Sequence, residues 1–447
     1  MPLRTSRVYL RSLQVVYDLV YALVLLAGAP FVLVMLVASR RWRAGLFQRF
    51  GFCPRRASDR RAVWIHGVSN GEVLAARELV TRIERESPDV EVVISTTTWT
   101  AHDAARRAYA GHLVFYFPLD FSFATHRVIR RVRPSVVLLM ELEIWPNFLL
   151  TTSLRGVPVL LANGRMSAKS ARDYRWMQRF IPEPMDRIAH YCVQTEEYAA
   201  RFRAVGVPDE RLTITGSMKF DNVPDHLPAD VRDGYARRLG LASGAFVLMG
   251  GSTHAGEEAV VLDAFAAIRA REPSARLILV PRFPERLGDV EALVKSRGFA
   301  CVRLSTLPPS GPPSGAPSDA VILGDTVGEL AKLYSVADLV FVGGTLTRRG
   351  GQNMMEPAGL GKPVVVGPAT WNFRDPVELL LARGGLSQCE NPAAVRAEIL
   401  ALHADPERRR RIGENARGVC LESKGATRRI LDILQAHLPR TRTETHP

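Results

Sequence analysis

A chain of 447 residues is long for one domain and suits two domains plus an appendage. It is 47% hydrophobic and 23% charged, and its five cysteines (Cys53, Cys192, Cys301, Cys389, Cys420) stand apart with no CxxC pair. That pattern fits a globular protein with reduced thiols in the cytosol and excludes a disulfide framework or a cysteine zinc site. Lys and Arg total 59 against 45 Asp and Glu, a net charge of +14, which implies an anionic partner: nucleic acid, an acidic membrane surface or a phosphorylated substrate.

In chain order, the first feature is the run "VVYDLVYALVLLAGAPFVLVMLVAS" at 15–39, whose only charge is Asp18. It is long enough to cross a hydrocarbon core of about 30 Å and lacks the small-residue cleavage pattern of a secretory signal. Arg4, Arg7 and Arg11 precede it, and Arg40, Arg41, Arg43, Arg49, Arg55 and Arg56 follow. The downstream excess places the body on the cytoplasmic side, with residues 1–44 as a membrane anchor. A helix lying in the membrane surface or buried in the core fits the same run.

After the anchor, apolar runs alternate with amphipathic helical stretches. Strands are expected at 62–68, 90–96, 112–118, 134–141, 157–163 and 190–195, then again at 245–252, 275–282, 320–325, 338–345 and 362–368. Strands alternating with helices mean βαβ units and parallel sheets. The pattern breaks at "TGSMKFDNVPDHLPADVRDG" (215–234), giving two Rossmann-like, doubly wound domains, 45–224 and 225–435. "LPPSGPPSGAPS" (307–318) reads as a flexible loop and 436–447 as a disordered tail. Two such domains facing across a cleft form the GT-B α/β architecture, in which ligands sit at the carboxyl ends of the strands.

Several strand ends carry chemistry. Glu72, just past the first strand in "WIHGVSNGEV", can serve as a base toward an attacking hydroxyl or as an acid favoured at a helix start. In "MELEIWPNF" (140–148), Glu141 and Glu143 lie two apart, on one face if the strand continues. Either pairs with nearby arginines or holds a partner group. Lys219 in "TGSMKFD" can meet charge developing on a departing phosphate, and Arg282 in "LVPRFPER" can grip a phosphate with its planar fork. In "GGQNMMEPA", Gly350 and Gly351 turn the chain into a helix start suited to a phosphate, and Glu356 can accept from two ribose hydroxyls. No Asp-x-Asp, Walker, GxGxxG or metal-spaced His or Cys pattern occurs.

The segments "VSNGEV", "ELEIWPN", "NGRMSAKS", "TGSMKFD", "GSTHAGEE", "PRFPER", "GDTVGEL", "FVGGTL", "GGQNMMEPA" and "GPATWNF", in this order, resemble the 3-deoxy-D-manno-octulosonic acid (Kdo) transferases of lipid A assembly, glycosyltransferase family 30. The resemblance covers nearly the whole chain. It implies a GT-B fold and inverting transfer of Kdo from CMP-Kdo to a lipid A precursor (lipid IV-A) at the cytoplasmic face of the inner membrane. It implies no metal, no other cofactor and no nucleic-acid partner. Carried over by motif, Glu72 would accept the proton, and Glu141 and Lys219 would stabilise the transition state. Pro281, Arg282, Val327, Gly328, Glu329, Asn353, Met354, Met355 and Glu356 would hold CMP. A monophosphate leaving group agrees with the missing Asp-x-Asp. The alternative is another GT-B transferase using a different CMP- or UDP-sugar on a lipid acceptor. The chain departs from the family pattern at Asn70, Leu142, the stretch 96–101, Phe283 and Gln352, the last two standing where His is usual.

Overall fold

A computed structural model of the chain describes residues 6–178, 185–311 and 320–439. It divides into two compact units, one made of 1–222 and 424–447 and the other of 223–423.

The first unit is built on a sheet of seven parallel strands: β1 (Arg61–Gly67), β2 (Val90–Thr96), β3 (Leu113–Tyr116), β4 (Val136–Met140), β5 (Val159–Gly164), β6 (His190–Val193) and β7 (Leu212–Ile214), in the order β3-β2-β1-β4-β5-β6-β7. The central strands are apolar along their whole length because helices cover both faces; β4 is buried at every residue. On one face Trp64 packs against Phe115, Phe117 and Phe148. On the other, Leu79, Val80 and Ile83 of the helix Arg77–Glu86 share a core with Ala426, Ile430, Leu431 and Leu434.

That second face corrects the expected boundary. The chain's last helix, Ala426–His437, belongs to the first unit rather than to a domain spanning 225–435. Its apolar stripe needs a partner, and the helix Arg77–Glu86 supplies one. Asp221 fixes the crossing by accepting from the amides of Gly425 and Thr427, each at 2.6 Å. The helix also takes up the first residues assigned to a disordered tail, while 440–447 lie outside the described residues.

The second unit repeats the plan with β8 (Val247–Thr253), β9 (Arg276–Pro281), β10 (Cys301–Arg303), β11 (Val321–Leu323), β12 (Leu339–Val342), β13 (Val364–Val366) and β14 (Ser387–Gln388), all parallel, in the order β10-β11-β9-β8-β12-β13-β14. Of the expected loop 307–318, residues from 312 onward lie outside the described residues. In both sheets the order reverses direction beside the first strand, between β1 and β4 and between β8 and β12. At such a point adjacent crossover connections leave to opposite sides and open a crevice beyond the strand ends.

The amino-terminal run forms one helix, Arg7–Ala38, with Pro30 inside it. Leu10, Gln14 and Tyr17, spaced four and three apart, are buried against the helix Pro146–Leu154. Asp18 accepts from the Ser122 amide (2.8 Å) and from Asn147 Nδ2 (2.9 Å), so the single charge of the apolar run is a tie to the first unit.

Leu431→Ala tests the corrected boundary. The side chain is fully buried, so the variant should lose about 2–5 kcal/mol from the first unit's unfolding transition and leave the second unit's unchanged. Denaturation followed by a fluorescence probe in each unit reads both.

Candidate functional site

At the first switch point, β1 ends at Gly67 and the chain turns into the helix Asn70–Ala75. A Cβ on Gly67 would lie 3.1 Å from Val73 Cγ2 and 3.2 Å from Glu72 Cβ, so glycine lets the helix start close over the strand end. Glu72 is the third residue of that helix. Its carboxylate accepts from the Val68 amide at 2.9 Å through Oε2 and from the Ser69 amide at 3.3 Å through Oε1, while Ser69 Oγ accepts from the Glu72 amide. This is a complete capping box. The helix-start role of Glu72 is therefore present, and its carboxylate is held in one place by it.

Across the switch, β4 ends at Met140 and does not continue. Glu141 takes a left-handed backbone, φ 60°, uncommon for a residue with a side chain and a mark of local strain at functional sites. Glu141 and Glu143 are thus brought together by a turn, not by strand alternation. Arg165, from the segment after β5, donates Nε to Glu141 Oε2 at 2.7 Å. Lys219 Nζ lies 3.8 Å from Glu141 Oε1. Asn163, also left-handed at φ 55°, accepts the Met218 amide at 3.0 Å and so fixes the turn that carries Lys219. Sequence reasoning missed Arg165 although it read the motif "NGRMSAKS" that contains it.

The three acids differ in environment. Burial raises the Glu72 carboxyl above the ordinary carboxylate range; the Ser69 contact and the local amides oppose that shift, and the Glu141 charge adds to it. Burial, then the Glu72 charge, pushes Glu143 up to about 7, with Trp145 Nε1 donating to it at 2.9 Å. Glu141 has its cations. One carboxylate neutralised by Arg165 and Lys219 beside two that titrate upward is an acid–base arrangement set by surroundings.

In the second unit, Glu257 follows β8 and is almost wholly buried. It accepts from the amides of His254 (2.8 Å), Gly344 (2.8 Å), Thr345 (2.9 Å) and Leu346 (2.9 Å), and thereby shapes the loop after β12. Gly343 is required there, since its Cβ would sit 2.4 Å from Ser252 O and 2.7 Å from Glu257 Oε2. Glu258, fully buried, takes both terminal nitrogens of Arg286, at 2.7 and 3.1 Å. Glu257 was also missed, though "GSTHAGEE" shows an acid at a helix start. Phe283 and Gln352 flank one imidazole: the His254 ring meets Phe283 edge-on at 5.4 Å, and Gln352 Nε2 lies 3.3 Å from His254 Nε2.

Pro281, Arg282, Val327 and Gly328 line one open cavity of about 160 Å³, beyond the ends of β9 and β11. Glu329 sits beside it but its carboxylate is taken by Tyr235 and Arg238. Met354 and Met355 are buried. The Met355 amide is occupied by Asn353 Oδ1 at 3.1 Å, and the helix it opens, Met355–Gly359, is five residues long. Asn353 Nδ2 donates to Glu356 Oε1 at 2.9 Å, and burial raises the Glu356 carboxyl.

A family model described as 3-deoxy-D-manno-octulosonic-acid transferase (kdotransferase) matches residues 44–222. The 3-deoxy-D-manno-octulosonic acid transferase of Haemophilus influenzae is 33% identical over 434 residues, covering 94% of this chain and 98% of that protein. The enzyme of the same name from Bordetella pertussis is 36% identical over 434 residues, with 93% and 98% covered. Among solved structures, a putative UDP-N-acetylglucosamine 2-epimerase from Listeria monocytogenes aligns with a TM-score of 0.54 at 14% identity, over 87% of this chain and 98% of that one. That likeness shows the fold, GT-B, which together with the two parallel sheets agrees with the architecture expected from the sequence.

Glu257→Ala would leave four amides without their acceptor. It should cost about 3–5 kcal/mol in chemical denaturation of the full chain and expose residues 343–351 to proteolysis.

Proposed function

This chain belongs to the 3-deoxy-D-manno-octulosonic acid (Kdo) transferase family and is a glycosyltransferase; we propose that it transfers Kdo, with inversion, from CMP-Kdo to a lipid A precursor of the lipid IV-A type in lipopolysaccharide synthesis. In this reading it works at the cytoplasmic face of the inner membrane, where the amino-terminal helix and the net charge of +14 favour an anionic lipid surface and a phosphorylated acceptor.

The observation that carries the reading is the trio at the β1–β4 switch. Glu72 takes the proton of the acceptor hydroxyl as that oxygen bonds to the anomeric carbon and the bond from that carbon to the CMP phosphate breaks. The amide of Val68 holds Oε2, and the longer contact at Oε1 leaves that oxygen the better proton acceptor. Glu141, clamped by Arg165, positions Lys219 for the charge that develops in the transition state. The second unit supplies the nucleotide surface: Pro281 and Arg282, the backbone at Val327, Gly328 and Glu329, and the Asn353–Glu356 segment, with Glu356 toward the ribose. No metal is assigned a part, because a monophosphate leaving group can be met by the planar fork of Arg282. The fold is shared with UDP-sugar enzymes, so competition by CMP against UDP in the transfer assay discriminates the donor.

Glu72→Gln separates the two roles of that residue, because glutamine at the third helical position still completes a capping box. With CMP-Kdo and lipid IV-A, wild type should form Kdo-lipid, and the variant should fold and bind CMP normally while losing at least about a hundredfold in kcat. Undiminished turnover would reduce Glu72 to a helix cap.

The same site fixes a pH profile. Glu72 acts only when ionised, and its carboxyl is raised, so kcat/KM should fall as pH drops through a value above the ordinary carboxylate range. Glu143 gives up its proton near pH 7, adding a second inflection there. Glu143→Gln, fixed in the neutral form, should lose the inflection near 7 and keep the acid limb, as read from initial rates between pH 5 and 9.

A further inference from the structure

The departures at Phe283 and Gln352 converge on His254, the residue after β8 in the second unit. Phe283 meets its ring edge-on, and Gln352 Nε2, which can only donate, makes the imidazole Nε2 the acceptor at 3.3 Å. Burial lowers the proton affinity of this ring; Arg349, Arg286 and Arg282 lower it further, and Glu258 opposes them. The imidazole is therefore neutral, and arginines carry the charge around it. Arg286 is neutralised by Glu258. Among the described residues, Arg282 and Arg349 make no ion pair.

Arg349 stands on a loop strapped from several sides. Glu257 accepts the amides of Gly344, Thr345 and Leu346 at the start of that loop. At its end, the amides of Gly351 and Gln352 donate back to the carbonyls of Gly344 and Gly343, at 2.9 and 3.0 Å. Asn372 Nδ2 donates to the Arg349 carbonyl at 2.8 Å, and the Asn372 amide donates to that of Gly350 at 3.0 Å. Gly350, at φ 80°, is needed for this approach, since a Cβ there would sit 2.4 Å from Trp371 Nε1. The Arg349 side chain itself is exposed. An exposed arginine without an acid adds little to the fold, so a backbone held this firmly presents its cation to something else.

The chemistry of the donor supplies a match. Kdo is an ulosonic acid, so its anomeric carbon carries a carboxylate as well as the bond to the leaving phosphate. CMP-Kdo thus offers two anions on one carbon, whereas a UDP-hexose has no acid there. The second unit offers two unpaired arginines beside one imidazole. A guanidinium fork meets a carboxylate with two parallel N–H bonds, which fixes direction as well as charge.

We propose that Arg349 binds the carboxylate on the anomeric carbon of the donor sugar, beside the neutral His254 ring, while Arg282 keeps the phosphate. This rests on the Kdo-transfer reading above and names the residue that reads its donor. Gripping the carboxylate orients the anomeric carbon, and it separates an ulosonic donor from a hexose donor by charge.

The test is calorimetric titration of the full chain with CMP and with CMP-Kdo, without acceptor. Wild type should hold CMP-Kdo at least about tenfold more tightly than CMP. Arg349→Ala should raise the Kd for CMP-Kdo at least about tenfold and leave that for CMP within about twofold. Arg349→Lys, which keeps the charge and loses the fork, should fall between, and Arg282→Ala should weaken both ligands alike. Equal weakening of CMP and CMP-Kdo by Arg349→Ala would assign that residue to the phosphate and overturn the proposal. An unchanged Kd for CMP-Kdo in Arg349→Ala, or equal Kd values for the two ligands in wild type, would also overturn it. Transfer to lipid IV-A is assayed separately, so selective binding without a Kdo-lipid product counts against the proposed reaction and not against Arg349.

Discussion

A carboxylate withdrawn from water costs several kcal/mol unless amides or cations surround it, and both units of this chain are organised around such groups. Glu257 gathers four amides from two loops, Glu258 takes the fork of Arg286, Glu141 draws Arg165 and Lys219, and Asp221 reaches the first amides of the last helix. Apart from the His254 amide, each bond joins segments far apart in sequence. The strands supply apolar burial; the buried acids decide how the connecting loops lie on them.

The same constraint explains how the capping role of Glu72 can coincide with the base role proposed for it. A side chain that completes a capping box is already oriented and needs no reorganisation to meet a substrate hydroxyl. Its raised proton affinity comes mainly from burial, the condition that made the cap necessary. Glu143 and Glu141 show the other settings of the same chemistry. One is left to share a buried region with a like charge, the other is compensated by cations. Three glutamates within one site are thereby given different surroundings.

The central strands were legible in the sequence because burial on both faces leaves an uninterrupted apolar run, and β2 falls on its expected residues, 90–96. The edge strands β7, β10 and β14 were not foreseen. They are two or three residues long and half exposed, so they lack that signal. The last helix was readable as amphipathic, but an apolar stripe does not say which domain will cover it. Glu72, Glu141 and Lys219 were singled out at strand ends and in motifs, whereas Arg165 and Glu257 were not, since a residue that acts by holding another leaves no pattern of its own. The nucleotide-side expectations were coarser still. Met354 and Met355 turn out to be core side chains, and the Glu329 carboxylate is engaged by Tyr235 and Arg238.

The segment "MELEIWPNF" joins these themes within nine residues. At its start Glu141 takes the strained turn that faces Arg165, and two residues on Glu143 sits under Trp145. At its end Pro146 opens a helix whose first amides, from Asn147 and Phe148, bind Asp120 at 3.0 and 2.8 Å, while the Asn147 side chain holds Asp18 of the amino-terminal helix. Asp120 in turn accepts from Tyr21. The acids of the site and the clamp on the apolar helix are therefore consecutive along one backbone, separated by a single turn. A helix joined to its domain by flexible chain would tether the enzyme to a surface in any orientation. One locked this way fixes the orientation of Glu141 and Glu143 relative to the apolar helix itself.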